Sequence, residues 1–236
     1  MEHAAKVPGF KRPAVASFAA GTIATTVLAR ERTLPVGAAF RDVLPDRGLP
    51  RGRTLACSGV ARWSVAFALL AEAVGRGSWV AAVDVPVLGA EAVAELGVTL
   101  DRLVRIDARS TASWAEVVAA AVDGFELVVA QVPAGANAGP VRRAQTRVKA
   151  RGAVLVLVGE SAVADVQLHT ATPVWERVAG DAGHLSARRV HLEVGGRRVP
   201  RPCRADLWLP GPAGGVEVAP VIEAPADLLR SVEQAS

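Results

Sequence analysis

The sequence predicts an α/β fold: a mostly parallel β-sheet flanked by helices, with antiparallel late strands. The chain has 236 residues, of which 51% are hydrophobic and 21% charged, and this is enough for one sizeable core. Apolar runs alternate with helical segments from residue 53 to residue 158. These runs are continuously apolar, as strands are when helices cover both faces of a parallel sheet.

The elements follow in order along the chain. The predicted strands of the parallel part are 53–58, 78–85, 103–107, 125–130 and 153–158. The predicted helices between them are 63–76, 88–96, 111–122 and 139–150. Ser113 and Glu116 form a capping-box pattern in the third of these helices. Trp79 and Trp114 fall on a predicted strand and a predicted helix, and we expect both in the core.

From about residue 162 the pattern changes. Polar and apolar residues interleave in three stretches, DVQLHT (165–170), SARRVHLEV (186–194) and RADLWL (204–209). This interleaving predicts short antiparallel strands at a sheet edge. Gly195-Gly196 is the predicted turn of a hairpin between the second and third of them.

The composition divides the chain into three parts. Residues 1–33 predict an N-terminal helical segment, residues 34–212 the α/β domain, and residues 213–236 an acidic, mobile C-terminal tail. The apolar stretch after Lys11 and Arg12 has the outline of a secretion signal, but serine, glycine and threonine dilute it. No run reaches the roughly 18 unbroken apolar residues of a membrane span. We therefore expect a cytoplasmic protein that does not bind membranes.

Charge and cysteine content limit the function classes. The net charge of +4, from 27 basic and 23 acidic residues, does not by itself indicate a nucleic-acid-binding protein. Two cysteines and four scattered histidines provide neither a disulfide framework nor the spacing of metal ligands. The sequence therefore predicts no metal site.

The stretch LACSGVARWSVAFALL (55–70) reads as a strand, a glycine turn and a helix. Such a turn can bind an anion, because free backbone N–H groups and the helix dipole point at one place. A P-loop adds a lysine for the outer phosphates and a Ser or Thr for magnesium. Here Arg62-Trp63 replaces the Gly-Lys pair, and only Ser64 could supply the hydroxyl. Taken alone, the stretch favours an ordinary strand–helix turn.

Longer phrases carry a resemblance to RecA. LPDRGLPRGRTLACSG (44–59) resembles the entry to the RecA core, and VDVPVLGAEAVAELGVTLDRLVRI (83–106) resembles the segment that follows it. WAEVVAAAVDGFELVVAQVPA (114–134) is similar to the helix and strand that end at the Walker B position. Within the RecA-like proteins, the chain most resembles the short, actinobacterial-type ImuA proteins. The phrases that carry this are LPDRGLPRG, LLAEAVGRGSWVAAVDVPVLG, AELGVTLDRLVRI, WAEVVAAAVDG, SARRV and LWLPGP, between about residues 34 and 212.

The departures from RecA bear on catalysis. RecA ATPases use a P-loop lysine, a Walker B aspartate and a glutamate that positions water. In this chain the lysine is replaced, the Walker B end reads Val129-Ala130-Gln131, and the glutamate position falls near Pro86, with Asp84 close by. Phosphoryl transfer depends almost wholly on such positioned charges. The resemblance thus implies a degenerate nucleotide site at Gly59, Arg62 and Ser64, with no catalytic residue and no cofactor.

Basic residues are the candidates for DNA contact. Residues 141–151 contain no acid, and Arg143, Arg147 and Arg151 share one face of the predicted helix. That face suits either a DNA backbone or solvent, and the sequence leaves both open. The full candidate set is Arg142, Arg143, Arg147, Lys149, Arg151, Arg188, Arg189, Arg197 and Arg198. The candidate partner-binding residues are Trp208, Leu228 and Leu229.

The resemblance to ImuA implies a function. ImuA proteins are encoded with an error-prone DNA polymerase and with ImuB, an inactive Y-family polymerase homologue. A member would be a non-catalytic adaptor in DNA-damage-induced mutagenesis that supports translesion synthesis through ImuB, and it could also contact DNA. Two alternatives remain: a RecA-like protein with residual ATP affinity, and a damage-induced inhibitor of cell division. Self-association stays open, because residues 1–33 match poorly the segment through which RecA polymerises.

Overall fold

The predicted α/β fold is confirmed by the structure, a computed structural model that describes residues 32–85, 89–108, 114–133, 138–177 and 185–220. In chain order the strands are β1 (Thr33–Leu34), β2 (Leu49–Pro50), β3 (Arg53–Gly59), β4 (Val80–Val83), β5 (Leu103–Ile106), β6 (Leu127–Gln131), β7 (Val154–Val158), β8 (Val166–Arg177), β9 (Leu185–Gly195), β10 (Cys203–Trp208) and β11 (Glu217–Val218). The helices are α1 (Ala38–Arg41), α2 (Arg62–Gly75), α3 (Ala90–Glu95), α4 (Trp114–Gly124) and α5 (Ala138–Arg151). Short 3₁₀ turns cover Pro45–Arg47 and Leu100–Arg102.

The main sheet has the strand order β11-β10-β9-β8-β3-β7-β6-β4-β5, and β1 pairs with β2 separately. The strands from β8 to β5 in this order are parallel, whereas β9, β10 and β11 are antiparallel to their neighbours. A mostly parallel sheet that ends in antiparallel strands is compatible with a RecA-like core.

One late strand differs from the expected direction. The stretch DVQLHT lies in β8, which pairs in parallel with β3 and antiparallel only with β9. β8 begins beside Leu55, and Asp165 just before it donates its N–H to Thr54 O at 2.8 Å, so the chain between β7 and β8 returns almost to the amino end of β3. The alternation of polar and apolar residues in β8 therefore indicates that helices leave one face of the sheet uncovered there, and it does not indicate the direction of the strand.

Helices cover the two faces of the sheet unequally. On one face, α1, α2 and α3 share a core with inward residues of β3 to β10. On the other face, α4 and α5 pack over β4, β6 and β7 through Trp114, Val118, Val141, Ala144 and Val148. No helix of the described ranges packs on this second face over β8, β9 and β10. The polar side chains exposed or half-buried there are Gln167, His169, His191, Glu193 and Arg204.

Towards the two ends of the chain, the described residues begin at Arg32 and stop at Pro220. The sheet continues beyond residue 213, because β11 pairs with β10 and the buried Ala219 donates its N–H to Asp206 O at 2.8 Å. Residues 221–236 and nearly all of the predicted segment 1–33 lie outside the described residues, as does Ser113 of the capping box.

The connection between β9 and β10 is longer than the expected Gly195-Gly196 turn. β9 ends at Gly195 and β10 begins at Cys203. Gly196 has φ +119°, and a Cβ there would lie 2.8 Å from Asp165 O, so the close approach of this loop requires glycine.

Candidate functional site

The turn after β3 is closed by β8. Gly59 has φ +85°, and a Cβ on it would lie 2.0 Å from the carbonyl oxygen of Thr170. Thr170 stands beside Gly59 in the parallel β3–β8 ladder and is 1% exposed. The glycine is thus required by a neighbouring strand, whereas the glycines of a phosphate-binding loop serve the approach of a ligand.

The backbone N–H groups of this turn have partners inside the protein. Val60 donates its N–H to Thr170 O at 3.2 Å, and Ala61 donates to Thr170 Oγ1 at 2.9 Å. The Thr170 hydroxyl in turn donates to Ser58 O at 3.0 Å. In a P-loop the amides at the corresponding place face the phosphates. Here Thr170 alone accepts hydrogen bonds from two of these amides.

The side chains of Arg62, Trp63 and Ser64, which follow the turn, also contact other parts of the protein. Arg62 is exposed, and its Nη1 lies 3.3 Å from Gly59 O. Trp63 packs against the core and stacks on Phe67, with ring centroids 6.3 Å apart. Ser64 Oγ accepts a hydrogen bond from Arg188 Nη2 at 2.8 Å. The three predicted residues of the degenerate site, Gly59, Arg62 and Ser64, therefore do lie together.

Arg188 supplies a cation at this place. Its Nε donates to Leu209 O at 2.8 Å, and its guanidinium lies 5.1 Å from the ring centroid of Trp175. Burial lowers the pKa of Arg188, and no carboxylate of the described residues forms an ion pair with it. Ser64 carries the hydroxyl that a P-loop would offer to magnesium, and here that hydroxyl binds a guanidinium.

The acids of an ATPase site have no counterpart among the described residues of the turn. Gln131 ends β6 at the position that the resemblance assigns to the Walker B aspartate. Asp84 has φ +53°, donates its N–H to Ile106 O at 3.0 Å and accepts the Ala108 N–H on Oδ1 at 2.7 Å. Asp84 thus fixes the connection after β5. Pro86 lies outside the described residues.

A polar cleft of about 350 Å³ opens beyond β3, β7 and β8 on the second face of the sheet. Ser58 Oγ and His169 Nδ1 are 3.0 Å apart in it, and Glu160 lines the same cleft. The carboxyl ends of parallel strands are where α/β sheets commonly bind ligands. Sequence reasoning missed this cleft, and the only signal for it was the polar alternation of β8.

The basic face of α5 is partly neutralised. Asp123, near the end of α4, accepts Arg147 Nε at 2.6 Å and Arg151 Nε at 2.9 Å, and a second bond joins Arg147 Nη2 to its other oxygen. The hydrogen bond from Arg147 is the largest cause that lowers the Asp123 pKa, to about 2, and the charge of Arg151 adds to it. Arg142, Arg143 and Lys149 are exposed and have no ion-pair partner in the described part of the chain.

The late arginines face in different directions. Arg189 is opposite in facing to Arg188 on β9; it binds Asp206 at 2.8 Å and Pro220 O at 3.1 Å. Arg197 donates to Val163 O at 2.8 Å and lies 3.7 Å from Asp165. Arg198 is exposed and without an ion-pair partner among the described residues. The nine predicted cations therefore do not form one continuous surface.

The tryptophans differ in exposure from what the sequence suggested. Trp208 is half-buried on β10 beside Arg189, and Leu228 and Leu229 lie outside the described residues. Trp175 of β8, which sequence reasoning passed over, is 45% exposed, and Val174 and Val60 are 51% and 58% exposed. Trp79, expected in the core, is 47% exposed, whereas Trp114 is buried as expected.

Comparison with known proteins gives one family. The model of the MT3502 N-terminal domain family matches residues 42–163, just over half of the chain, and this segment contains the turn after β3. No curated protein matches this chain. Within the described ranges, no helix is long and apolar enough to cross a membrane. The same ranges hold no group of three His, Cys, Asp or Glu side chains that could bind a metal ion.

Proposed function

We propose that this chain, which belongs to the MT3502 N-terminal domain family, is a non-catalytic RecA-like adaptor in DNA-damage-induced mutagenesis. In this proposal it is a cytoplasmic, ImuA-like protein that contacts an inactive Y-family polymerase homologue, ImuB, and through it an error-prone DNA polymerase. The observation that carries the non-catalytic part is the binding of the Val60 and Ala61 amides to Thr170.

Catalysis and adaptor function make different demands on the fold. Phosphoryl transfer needs a phosphate cradle, a metal held by an acid and a group that positions water. The amides of the turn after β3 are hydrogen-bonded to β8, and Gln131 stands at the position of the Walker B aspartate. An adaptor needs only stable surfaces, and the nine-stranded sheet with its two helical layers supplies them.

The carboxyl end of the sheet offers a surface for a protein partner. Val60, Val174 and Trp175 are exposed there, and Arg188 holds the Trp175 ring from one side. Tryptophan and arginine are enriched among residues that dominate binding energy at interfaces. We therefore assign the ImuB contact to this end, with Trp175 as its anchor in place of Trp208.

The test is a binding measurement between the full chain and the purified ImuB homologue. Trp175→Ala should weaken binding by about 10-fold or more, as loss of an interface anchor does. Trp79→Ala is the matched control, because Trp79 is equally exposed and has Arg102 at 5.6 Å from its ring, yet lies beside the start of β4. Absence of any ImuB binding by the wild type, or equal loss in both variants, would refute this assignment.

The proposal also includes direct DNA contact, but through fewer residues than the sequence suggested. Arg142, Arg143, Lys149 and Arg198 are the exposed cations of the candidate set without an ion-pair partner in the described ranges. A titration of single-stranded and duplex DNA with the Arg142→Glu, Arg143→Glu double variant tests it. Binding that depends on salt and is lost in the variant supports a DNA contact; unchanged binding opposes it.

A further inference from the structure

A groove runs between α4 and α5 on the outer side of the domain. Its volume is about 580 Å³. Ala115 and Ala119 of α4 and Ala150 of α5 line it, with Arg143 and Arg147 on the α5 side. The large apolar side chains Trp114, Val118 and Val148 point the other way and pack on the sheet. Glu116 of α4 and Thr146 of α5 complete the lining, so the floor of the groove is made mainly of alanines.

The two helices carry an excess of positive charge. The cations of α5 are Arg142, Arg143, Arg147, Lys149 and Arg151, and α5 has no acid. The only carboxylates of α4 are Glu116 and Asp123. Asp123 is bound by both Arg147 and Arg151. Arg142, Arg143 and Lys149 therefore keep their charge available to a partner.

Asp123 also orders one wall of the groove. It holds Arg147 through two hydrogen bonds, one of them from Nε at 2.6 Å. A guanidinium that is already fixed loses less rotamer freedom when a partner binds. The carboxylate thus presents Arg147 in a defined position next to the alanines.

We propose that this groove binds an acidic amphipathic helix of a protein partner. A third helix can rest on two adjacent helices at 8–10 Å where the facing side chains are small, with apolar residues at i, i+3, i+4 and i+7 as anchors. An acidic residue on its α5 flank would meet Arg143, the cation of the lining that has no ion-pair partner among the described residues. The proposal names the partner's chemistry for the adaptor function above but does not depend on the identity of ImuB.

Nucleic acid fits the same place less well. Sequence-independent DNA contacts go mainly to phosphate oxygens, which gain nothing from an alanine-lined floor. Asp123 already binds Arg147 and Arg151, and Glu116 lines the α4 side of the groove. Arg143 is therefore the cation of the lining without an ion-pair partner in the described ranges, which is little charge for a backbone of many phosphates. A helix with an acidic residue beside Arg143 uses both the apolar floor and this cation.

The test uses a labelled synthetic 18-residue helical peptide with leucines at i, i+3, i+4 and i+7 and glutamates on its flanks. A second peptide has lysine in place of every glutamate. Fluorescence anisotropy with the full chain should show that the glutamate peptide binds and that its affinity falls as the salt concentration rises. The lysine peptide should bind at least about 10-fold more weakly than the glutamate peptide. Ala119→Leu, which fills the floor, and Arg143→Glu should each reduce binding about 10-fold.

Arg201→Glu is the matched control, since Arg201 is also an exposed cation but does not line the groove, and it should leave the affinity unchanged. Circular dichroism and the thermal midpoint establish that each variant folds. Equal binding of the lysine peptide, or wild-type affinity in Ala119→Leu, would overturn the proposal. So would displacement of the probe by single-stranded DNA, or by a peptide of residues 221–236, which would make DNA or this chain's own acidic segment the occupant. None of these outcomes depends on the ImuB binding measurement.

Discussion

The side chain and the carbonyl of Thr170 together accept the two amide hydrogens that follow Gly59, from Val60 at 3.2 Å and from Ala61 at 2.9 Å. Ala61 and Thr170 are 109 residues apart in the sequence. This contact joins the turn after β3 to β8 and occupies the amides that a phosphate would need.

Gly59→Ala should destabilise the protein by more than about 3 kcal/mol, because the new Cβ combines a left-handed φ with a backbone clash. The clash is with Thr170 O, 2.0 Å from the ideal Cβ. Gly77→Ala is the control: Gly77 has φ +109° but open space around it, so it should cost about 1 kcal/mol. Denaturant unfolding of the two variants measures the difference, and equal costs would contradict the closed turn.

Thr170→Val keeps the size of the side chain but removes its oxygen. The Ala61 N–H then loses its acceptor at a buried position, which should cost about 1–3 kcal/mol. Thr170→Ser retains the hydroxyl and should recover most of the hydrogen-bond contribution. Equilibrium unfolding checks both, and a valine variant as stable as wild type would show that the hydroxyl is not needed.

Millimolar Mg-ATP should leave the thermal midpoint of the wild-type chain unchanged. A ligand that binds only the native state must raise its stability, so an unchanged midpoint reports no binding at that concentration. The physical reason is that Thr170 holds the turn amides and Arg188 holds Ser64 Oγ. A saturable rise in the midpoint with Mg-ATP would instead favour residual nucleotide affinity.

Asp123 should make stability depend on pH in the acid range. Its pKa falls to about 2 in the folded protein, below the ordinary value of 3.8, chiefly through the hydrogen bond from Arg147. The lowered pKa stabilises the fold above about pH 4, and this contribution is lost as the pH falls from about 4 to about 2. Asp123→Asn should therefore be less stable than wild type at neutral pH and approach it near pH 2.

Unfolding measured from pH 2 to pH 6 tests this, with Asp101→Asn as the control. Asp101 is exposed and forms no ion pair in the described part of the chain. A constant difference between wild type and Asp123→Asn across this range would contradict the role of Asp123.

Local sequence pattern was enough to predict most elements of the sheet and its helices. The expected helix 139–150 is α5, Ala138–Arg151, and the expected strand 153–158 is β7, Val154–Val158. The expected strand 78–85 was too long, because Trp79 faces solvent and Asp84 adopts φ +53°. Periodicity reports which side of an element is buried, and it reports neither strand direction nor the exact end of a strand.

The candidate site was only partly predictable. The sequence placed Gly59, Arg62 and Ser64 together because they are neighbours on one turn. It could not reveal that Thr170 and Arg188 complete the site, since these residues come from β8 and β9 and meet the turn only through sheet pairing. For the same reason the i, i+4 spacing of Arg147 and Arg151 suggested a free stripe, whereas Asp123 of the neighbouring helix binds both.

The Thr170 contact also changes how the turn should open and close. A glycine turn that waits for a ligand exchanges its amide hydrogens with solvent through local fluctuations, independently of the strands around it. The Val60 and Ala61 amides are bonded to a central strand, so they can exchange only when β8 separates from β3. In hydrogen–deuterium exchange these two amides should belong to the slow cooperative unit of the sheet, and a loop becomes part of the most protected region of the protein.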